Sequence, residues 1–236
     1  MIYIANRKSK IENIRKKYPY AYILDVSSKS NIPEAQKLSP FYPHYNIPIP
    51  FTDNLTATCV EAVWQGLKVF ENNDVDFATL KNDTMKDIKR TVRKFGKPLG
   101  HRKGVYGKEL LDYFDARMQI YLPTYKWVLD NIEEVRSFVM RIKEYSNTHD
   151  IVLLDYNTNV DVYNIKKAIS HAGLLKLYIE DKYPVYTEGN FPEISYNENI
   201  EETKVTKKKK VAKSSKRGRN KKTKNDNSTS QLELPL

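Results

Sequence analysis

Apolar positions come in short runs at the N-terminus and in helical stripes further along. Residues 2–4 are short and apolar, 10–17 are charged and helix-compatible, and 21–26 return to β-favouring residues before Ser27 and Ser28. The opening therefore reads strand, helix, strand, a βαβ-like start. Pro33, Pro40, Pro43, Pro48 and Pro50 then predict a long loop over 30–55 with little regular structure. Long loops inside a compact domain are often functional. Val60, Val63, Trp64, Leu67 and Phe70 recur at spacings of three and four, which predicts an amphipathic helix over 59–70 capped by Thr56 or Thr58. Further helices are predicted over 82–94, 108–121 and 125–145, with Pro123 separating the last two. In the last of them Val128, Ile132, Val135, Val139 and Ile142 make the buried face. An apolar run at 151–154 has strand length and ends at Asp155, and a helix is predicted over 162–179. The expected class is α+β, mainly helical, with one domain over 1–195.

Composition separates that domain from the C-terminal arm. Of the 40 Lys and Arg residues, 12 fall in 204–224, where there is no acid, while residues 1–203 carry 28 basic and 27 acidic residues, a net of +1. Almost all of the chain's +11 belongs to this arm. Its Lys, Arg, Ser, Thr and Asn have too little apolar surface to offset the entropy of ordering, so 196–230 is expected to be a disordered linker. Cys59 is the single cysteine, which excludes an internal disulfide framework. No run approaches the roughly 18 to 20 apolar residues that span a bilayer, and MIYIANRKSK has charges where a signal peptide needs its apolar stretch. The expected compartment is a reducing cytoplasm, with no membrane partner.

Glu61, Gln65 and Lys68 lie at i, i+4 and i+7, one stripe of the predicted helix beside its apolar stripe. By spacing alone this is a solvated Glu/Lys face. The surrounding words change the weighting. Leu38-Ser39-Pro40-Phe41-Tyr42-Pro43, followed by Val60-Glu61-Ala62-Val63-Trp64-Gln65-Gly66-Leu67-Lys68-Val69-Phe70, resembles the NADAR (YbiA-like) family, whose members pair an lSNFYP segment with a helix reading vEhxxQxxKf. Pro40 stands where the family has Asn, and Ala62 where it has His. The resemblance implies a mainly helical NADAR fold and hydrolysis of N-glycosidic bonds in ADP-ribosylated bases or related nucleotides. It puts Glu61 at the family's proposed catalytic Glu, Gln65 and Lys68 at its Gln and Lys, and Phe41, Tyr42 and Pro43 in its aromatic loop. In that scheme Glu61 stabilises an oxocarbenium-like sugar or activates water. Lys68 holds a phosphate or leaving-group oxygen, Gln65 bonds a ribose or base edge, and Phe41, Tyr42 and Trp64 form the aromatic side of the substrate site. The scheme needs no metal and no cofactor.

Asp155, at the end of a predicted strand, is the second candidate carboxylate; the other reading is that it or Asn157 caps or turns the chain into the next helix. His171 sits among apolar neighbours and reads as a packed, hydrogen-bonded histidine more than as a base. His44, His101, His149 and His171 are scattered, which argues against a zinc site. The segment KFGKPLGHRKGVYG mixes glycines and cations without P-loop spacing. Its Lys97, His101 and Arg102 are candidates for a basic rim that binds phosphate, with a solvated loop as the other reading.

The hexapeptide QLELPL at 231–236 resembles the peptide by which bacterial and phage replication and repair proteins bind the β sliding clamp. Gln231 would make amide contacts, and Leu232, Leu234 and Leu236 would fill the groove. A basic arm adds salt-dependent attraction to DNA, and tethering raises the domain's effective concentration there. Together these predict a NADAR-like N-glycosidase brought to DNA by a clamp in a bacterial or phage-infected cell. The alternatives are a non-catalytic DNA- or clamp-binding adaptor and a small-nucleotide hydrolase whose tail is incidental.

Overall fold

The computed structural model describes residues 1–186. Strand β1 (Ile2–Asn6), helix α1 (Ile11–Lys17) and strand β2 (Tyr22–Asp25) open the chain. The proline-rich passage holds one helical turn, α2 (Pro33–Gln36), and the two-residue strand β3 (Ile47–Pro48), which pairs with β4 (Thr56–Ala57). Helix α3 (Val60–Gly66) is followed by β5 (Lys68–Phe70), α4 (Phe77–Leu80), α5 (Val92–Phe95), β6 (Pro98–Arg102), β7 (Leu110–Leu111) and α6 (Tyr113–Ala116). A π-helical turn over Arg117–Tyr121 leads into α7 (Leu122–Asn131), and α8 (Glu133–Ser146), β8 (Ile151–Asp155) and α9 (His171–Ile179) complete the described chain. The fold is mixed α/β with more helix than strand.

The spine is β8, buried at all five positions. A strand buried along its whole length is stable only at the centre of a sheet covered on both faces. It accordingly lies between β1 and β2, parallel to both, with Asn6 opposite Asp155 and Asp25 opposite Leu154. The βαβ-like start thus keeps its parallel sense but is split by a strand arriving from far along the chain. Ile14 and Ala21 pack on Val152 and Leu154 on one face. Side chains alternate along a strand, so Ile151, Leu153 and Asp155 point to the other face, where α9 packs.

Several predicted elements differ from those observed, each for a local reason. The cap of α3 is Cys59, whose sulfur accepts from Ala62 N–H at 3.2 Å; the Thr58 hydroxyl instead donates to Asn82 O at 2.6 Å. The helix stops at Gly66, where a Cβ would come within 2.5 Å of Leu80 Cδ2. Lys68–Phe70 then pairs with β6. The predicted helix over 82–94 is reduced to α5, because Met85 and Asp87 adopt left-handed backbone (φ 57° and 55°). The predicted helix over 108–121 begins only at Tyr113, behind β7 and the Asp112 cap.

Pro123 breaks nothing: Leu122 N–H bonds Arg117 O in the π turn, and Pro123 sits in the first turn of the following α stretch, where its missing N–H is tolerated. The break falls instead at Ile132, whose backbone is extended. Helix over 162–170 is absent because the buried Arg117 guanidinium takes the carbonyls of Val162, Asn164 and Lys167 that a helix would use internally. Among the described residues no helix is long and apolar enough to cross a membrane. The expected domain edge near 195, the linker at 196–230 and the hexapeptide at 231–236 lie outside the described residues.

Candidate active site

A cavity of about 260 Å³ opens at the carboxyl ends of β2 and β8, the position where parallel α/β sheets generally bind ligands. Ser27 and Ser28 follow β2, Asp155, Tyr156 and Asn157 end β8, and Glu61, Trp64 and Gln65 project from α3. The loop carrying Phe41 forms another wall. It is tied to α3 by Glu61 N–H donating to Pro40 O at 2.8 Å, and to α7 by Tyr125 OH donating to Leu38 O at 2.8 Å. The two segments that resemble the NADAR words therefore meet in space.

Glu61 is 7% exposed, so the solvated-face reading of its stripe does not hold. Gln65 Nε2 donates to Glu61 Oε1 at 2.8 Å. The other end of that amide accepts twice, from Lys68 Nζ at 2.9 Å and from Arg90 N–H at 3.0 Å. With both donors on its oxygen, the amide nitrogen must face Glu61. Arg90 is itself immobilised: its guanidinium lies 5.0 Å from the Phe70 and Phe95 ring centres and donates to the carbonyls of Gln65, Lys68 and Asp74. Burial raises the Glu61 pKa above its ordinary 4.5, opposed by the Gln65 hydrogen bond and by the charges of Lys89, Lys68 and His171. Burial likewise lowers the pKa of Lys68.

Asp155 has the opposite environment. Its Oδ1 accepts from Tyr156 N–H at 2.6 Å, and its Oδ2 accepts from the Ser170 hydroxyl at 2.7 Å and faces His171 Nδ1 at 3.0 Å. His171 Nε2 lies 2.9 Å from Val26 O. Both ring nitrogens face groups that only accept, so the ring carries both protons and is a cation. Burial opposes each charge, but the pairing prevails: Asp155 is held at about 2 and His171 is raised above 6.5. Ser170 also caps α9 through Gly173 N–H. Asp155 thus ties the end of β8 to the start of α9, but the cap is Ser170 rather than Asp155 or Asn157, and His171 is the packed, hydrogen-bonded residue expected.

Trp64 stacks on His101 at 3.9 Å and meets Tyr113 and Tyr121 edge-on at 5.8 and 5.6 Å. Burial holds His101 neutral, with a pKa near 3. Of the expected site residues, Glu61, Asp155, Phe41, Trp64 and Gln65 line the cavity. Tyr42 does not, and packs on His44 at 5.0 Å. Lys68 reaches the site only through Gln65. Arg102 is held by Asp74 at 2.6 Å, Lys97 is exposed and His101 is buried, and none of the three lines the cavity. Lys89, Arg117 and Tyr121 line the cavity unforeseen. Ile88 and Arg90 are buried on either side of exposed Lys89, an alternation that the predicted helix over 82–94 does not anticipate.

Residues 6–175 match the model of a family of unknown function (DUF6939). The chain belongs to that family. No curated protein matches it. The span matched to DUF6939 contains every residue lining the cavity.

In this DUF6939 member the Asp155–His171 pair ties stability to pH on both sides. Asp155, depressed below its ordinary 3.8, contributes above that pH and loses its contribution on acidification towards 2. His171, raised above 6.5, contributes fully below that pH and loses its contribution as pH rises through its folded value. The pair therefore stabilises most between these two ordinary values. Breaking it should cost about 3–5 kcal/mol, because a buried charge is left alone. Urea unfolding of wild type and His171→Ala across pH should show the largest gap near pH 5 and a narrowing gap on either side. A gap independent of pH would contradict the pairing.

Proposed function

We propose that this protein is a NADAR-like N-glycosidase acting on an ADP-ribosylated or otherwise modified nucleobase or nucleotide. The observation that carries this reading is a buried carboxylate, Glu61, on the wall of a cavity flanked by Trp64 and Phe41, with its pKa raised by burial and its orientation fixed by Gln65. A raised pKa makes the ionised form a stronger base near neutral pH than an ordinary carboxylate. The aromatic side chains suit the face of a base.

In this mechanism the C1′–N bond breaks as water approaches the sugar from the side of Glu61. The carboxylate takes a proton from that water while its charge stabilises the developing oxocarbenium ion. The new C1′–O bond forms, the departing base takes from solvent the proton on the nitrogen that had carried the sugar, and Glu61 returns to solvent the proton it received. Asp155 does not act on substrate, since its oxygens are engaged by Tyr156, Ser170 and His171; it holds His171 charged beside Glu61. Gln65 and Lys68 are positioning groups in place of the substrate contacts expected of them. The C-terminal arm and QLELPL bring the domain to DNA and to a sliding clamp.

A second reading, a non-catalytic DNA- or clamp-binding adaptor, draws on the same engagement of Asp155, which leaves Glu61 without a second carboxylate as partner acid. Base release separates the two. Glu61→Gln keeps the Gln65 contact in shape and removes a buried ionisable group. Because a raised carboxylate pKa means stability lost as pH rises, this variant should be more stable than wild type at neutral pH. Its release of base from ADP-ribosylated DNA should nevertheless fall by at least about 100-fold. An unchanged rate would remove Glu61 from the mechanism. Deletion of residues 231–236 should abolish capture of the protein by immobilised sliding clamp and leave turnover of a free nucleotide intact; undiminished capture would contradict the docking role of the hexapeptide.

A further inference from the structure

Lys68, Lys97 and Arg102 were the cations expected to meet a phosphate, and the fold directs each of them elsewhere. Lys68 Nζ donates to Gln65, Arg102 is paired with Asp74, and Lys97 is exposed away from the cavity lining. Two other cations that line the cavity are also engaged. Arg117 donates to the carbonyls of Val162, Asn164 and Lys167 and to Tyr113 OH, and His171 faces Asp155 and Val26 O. Lys89 differs. Its ammonium lies 5.4 Å from the Phe41 ring centre at the cavity wall, and among the described residues it has no hydrogen bond or ion pair.

Its backbone is also held in place. The neighbours Ile88 and Arg90 are 1% and 5% exposed, and Arg90 N–H bonds the same Gln65 amide that orients Glu61. Lys89 is therefore an exposed side chain on a backbone held between two buried neighbours. A cation with no hydrogen bond or ion pair among the described residues, set beside an aromatic face at a cavity, suits an anionic ligand group with an attached ring.

We propose that Lys89 anchors a phosphate ester of the ligand, placing its sugar towards Glu61. This deepens the glycosidase reading and rests on it for the orientation of the sugar; the phosphate could belong to a mononucleotide or to a nucleic-acid backbone.

The test titrates the full chain with ribose 5-phosphate, with ribose, and with a thymidine dinucleotide carrying one phosphodiester, following the NMR signals of Phe41 and Trp64. Ribose 5-phosphate should give saturable shifts and bind at least about tenfold more tightly than ribose, Lys89→Gln should lose about that factor, and Lys89→Arg should retain it. The same Lys89 dependence for the dinucleotide alone would assign the phosphate to a polymer and still support the anchor. Equal binding by wild type and Lys89→Gln, ribose binding as tightly as ribose 5-phosphate, or no saturable shift with either phosphate would overturn it. Lys89-dependent phosphate binding without Glu61-dependent base release would leave the anchor standing and remove the glycosidase; Glu61-dependent release with Lys89-independent binding would remove the anchor alone.

Discussion

The arrangement around the cavity depends on keeping one carboxylate, Glu61, out of water with its direction fixed. An ionised carboxylate in an apolar surround is unfavourable unless hydrogen bonds and nearby charge offset the lost hydration. Here the offset comes through a single amide. Gln65 gives its nitrogen to Glu61 and receives Lys68 and the Arg90 backbone on its oxygen, so the positive ends of two donors are relayed to the carboxylate. Several features of the fold serve this contact. Helix α3 ends at Gly66, and the chain continues as β5 with Lys68 still within reach of Gln65. Arg90 closes the end of the helix by taking the Gln65 and Lys68 carbonyls, and the loop carrying Phe41 docks on the helix start through Pro40.

The two acids of the cavity illustrate how environment divides roles. Asp155 is surrounded by donors and a cation and is held far into its ionised range, whereas Glu61, which receives the Gln65 amide and is otherwise enclosed, is raised. Pairs of titratable groups pushed apart in this way are a recurring mark of acid–base sites. They also mark sites where stability is given up locally: burial of Glu61 opposes folding at neutral pH, while the Asp155–His171 pair, at the junction of β8 and α9, supports it.

Much of this was legible in the chain. Short apolar runs bounded by polar residues marked β1, β2 and β8, and stripes at spacings of three and four marked α3 and α8. The order β1-β8-β2 was not legible, because pairing between residues 2–6 and 151–155 is a tertiary choice. The helical stripe through Leu67 and Phe70 was cut at Gly66, where Lys68–Phe70 turns to pair with β6, and the helical pattern after Val162 was overridden by a buried arginine from elsewhere in the chain. At the site, spacing and the family-like words brought Phe41, Glu61, Trp64 and Gln65 together correctly, and Asp155 was placed by its position after a strand. Lys97 and Arg102 do not line this cavity, and composition, which reports a charge, does not show that Arg102 is paired with Asp74. Lys89, Arg117 and Tyr121 escaped notice for the converse reason, since only the folded chain brings them to one cavity.

The most direct measurement is a carbon-13 NMR titration of the Glu61 side-chain carboxyl in the wild-type protein, assigned by its absence in Glu61→Gln. The account predicts a midpoint above 4.5, the ordinary value for the side chain, and a further rise when Lys68 is replaced by Met, because the positive end of the Gln65 relay is then lost. A midpoint at or below 4.5, unmoved by that replacement, would mean that the carboxylate meets water freely and that the sheltered, oriented acid on which the structure is built does not exist.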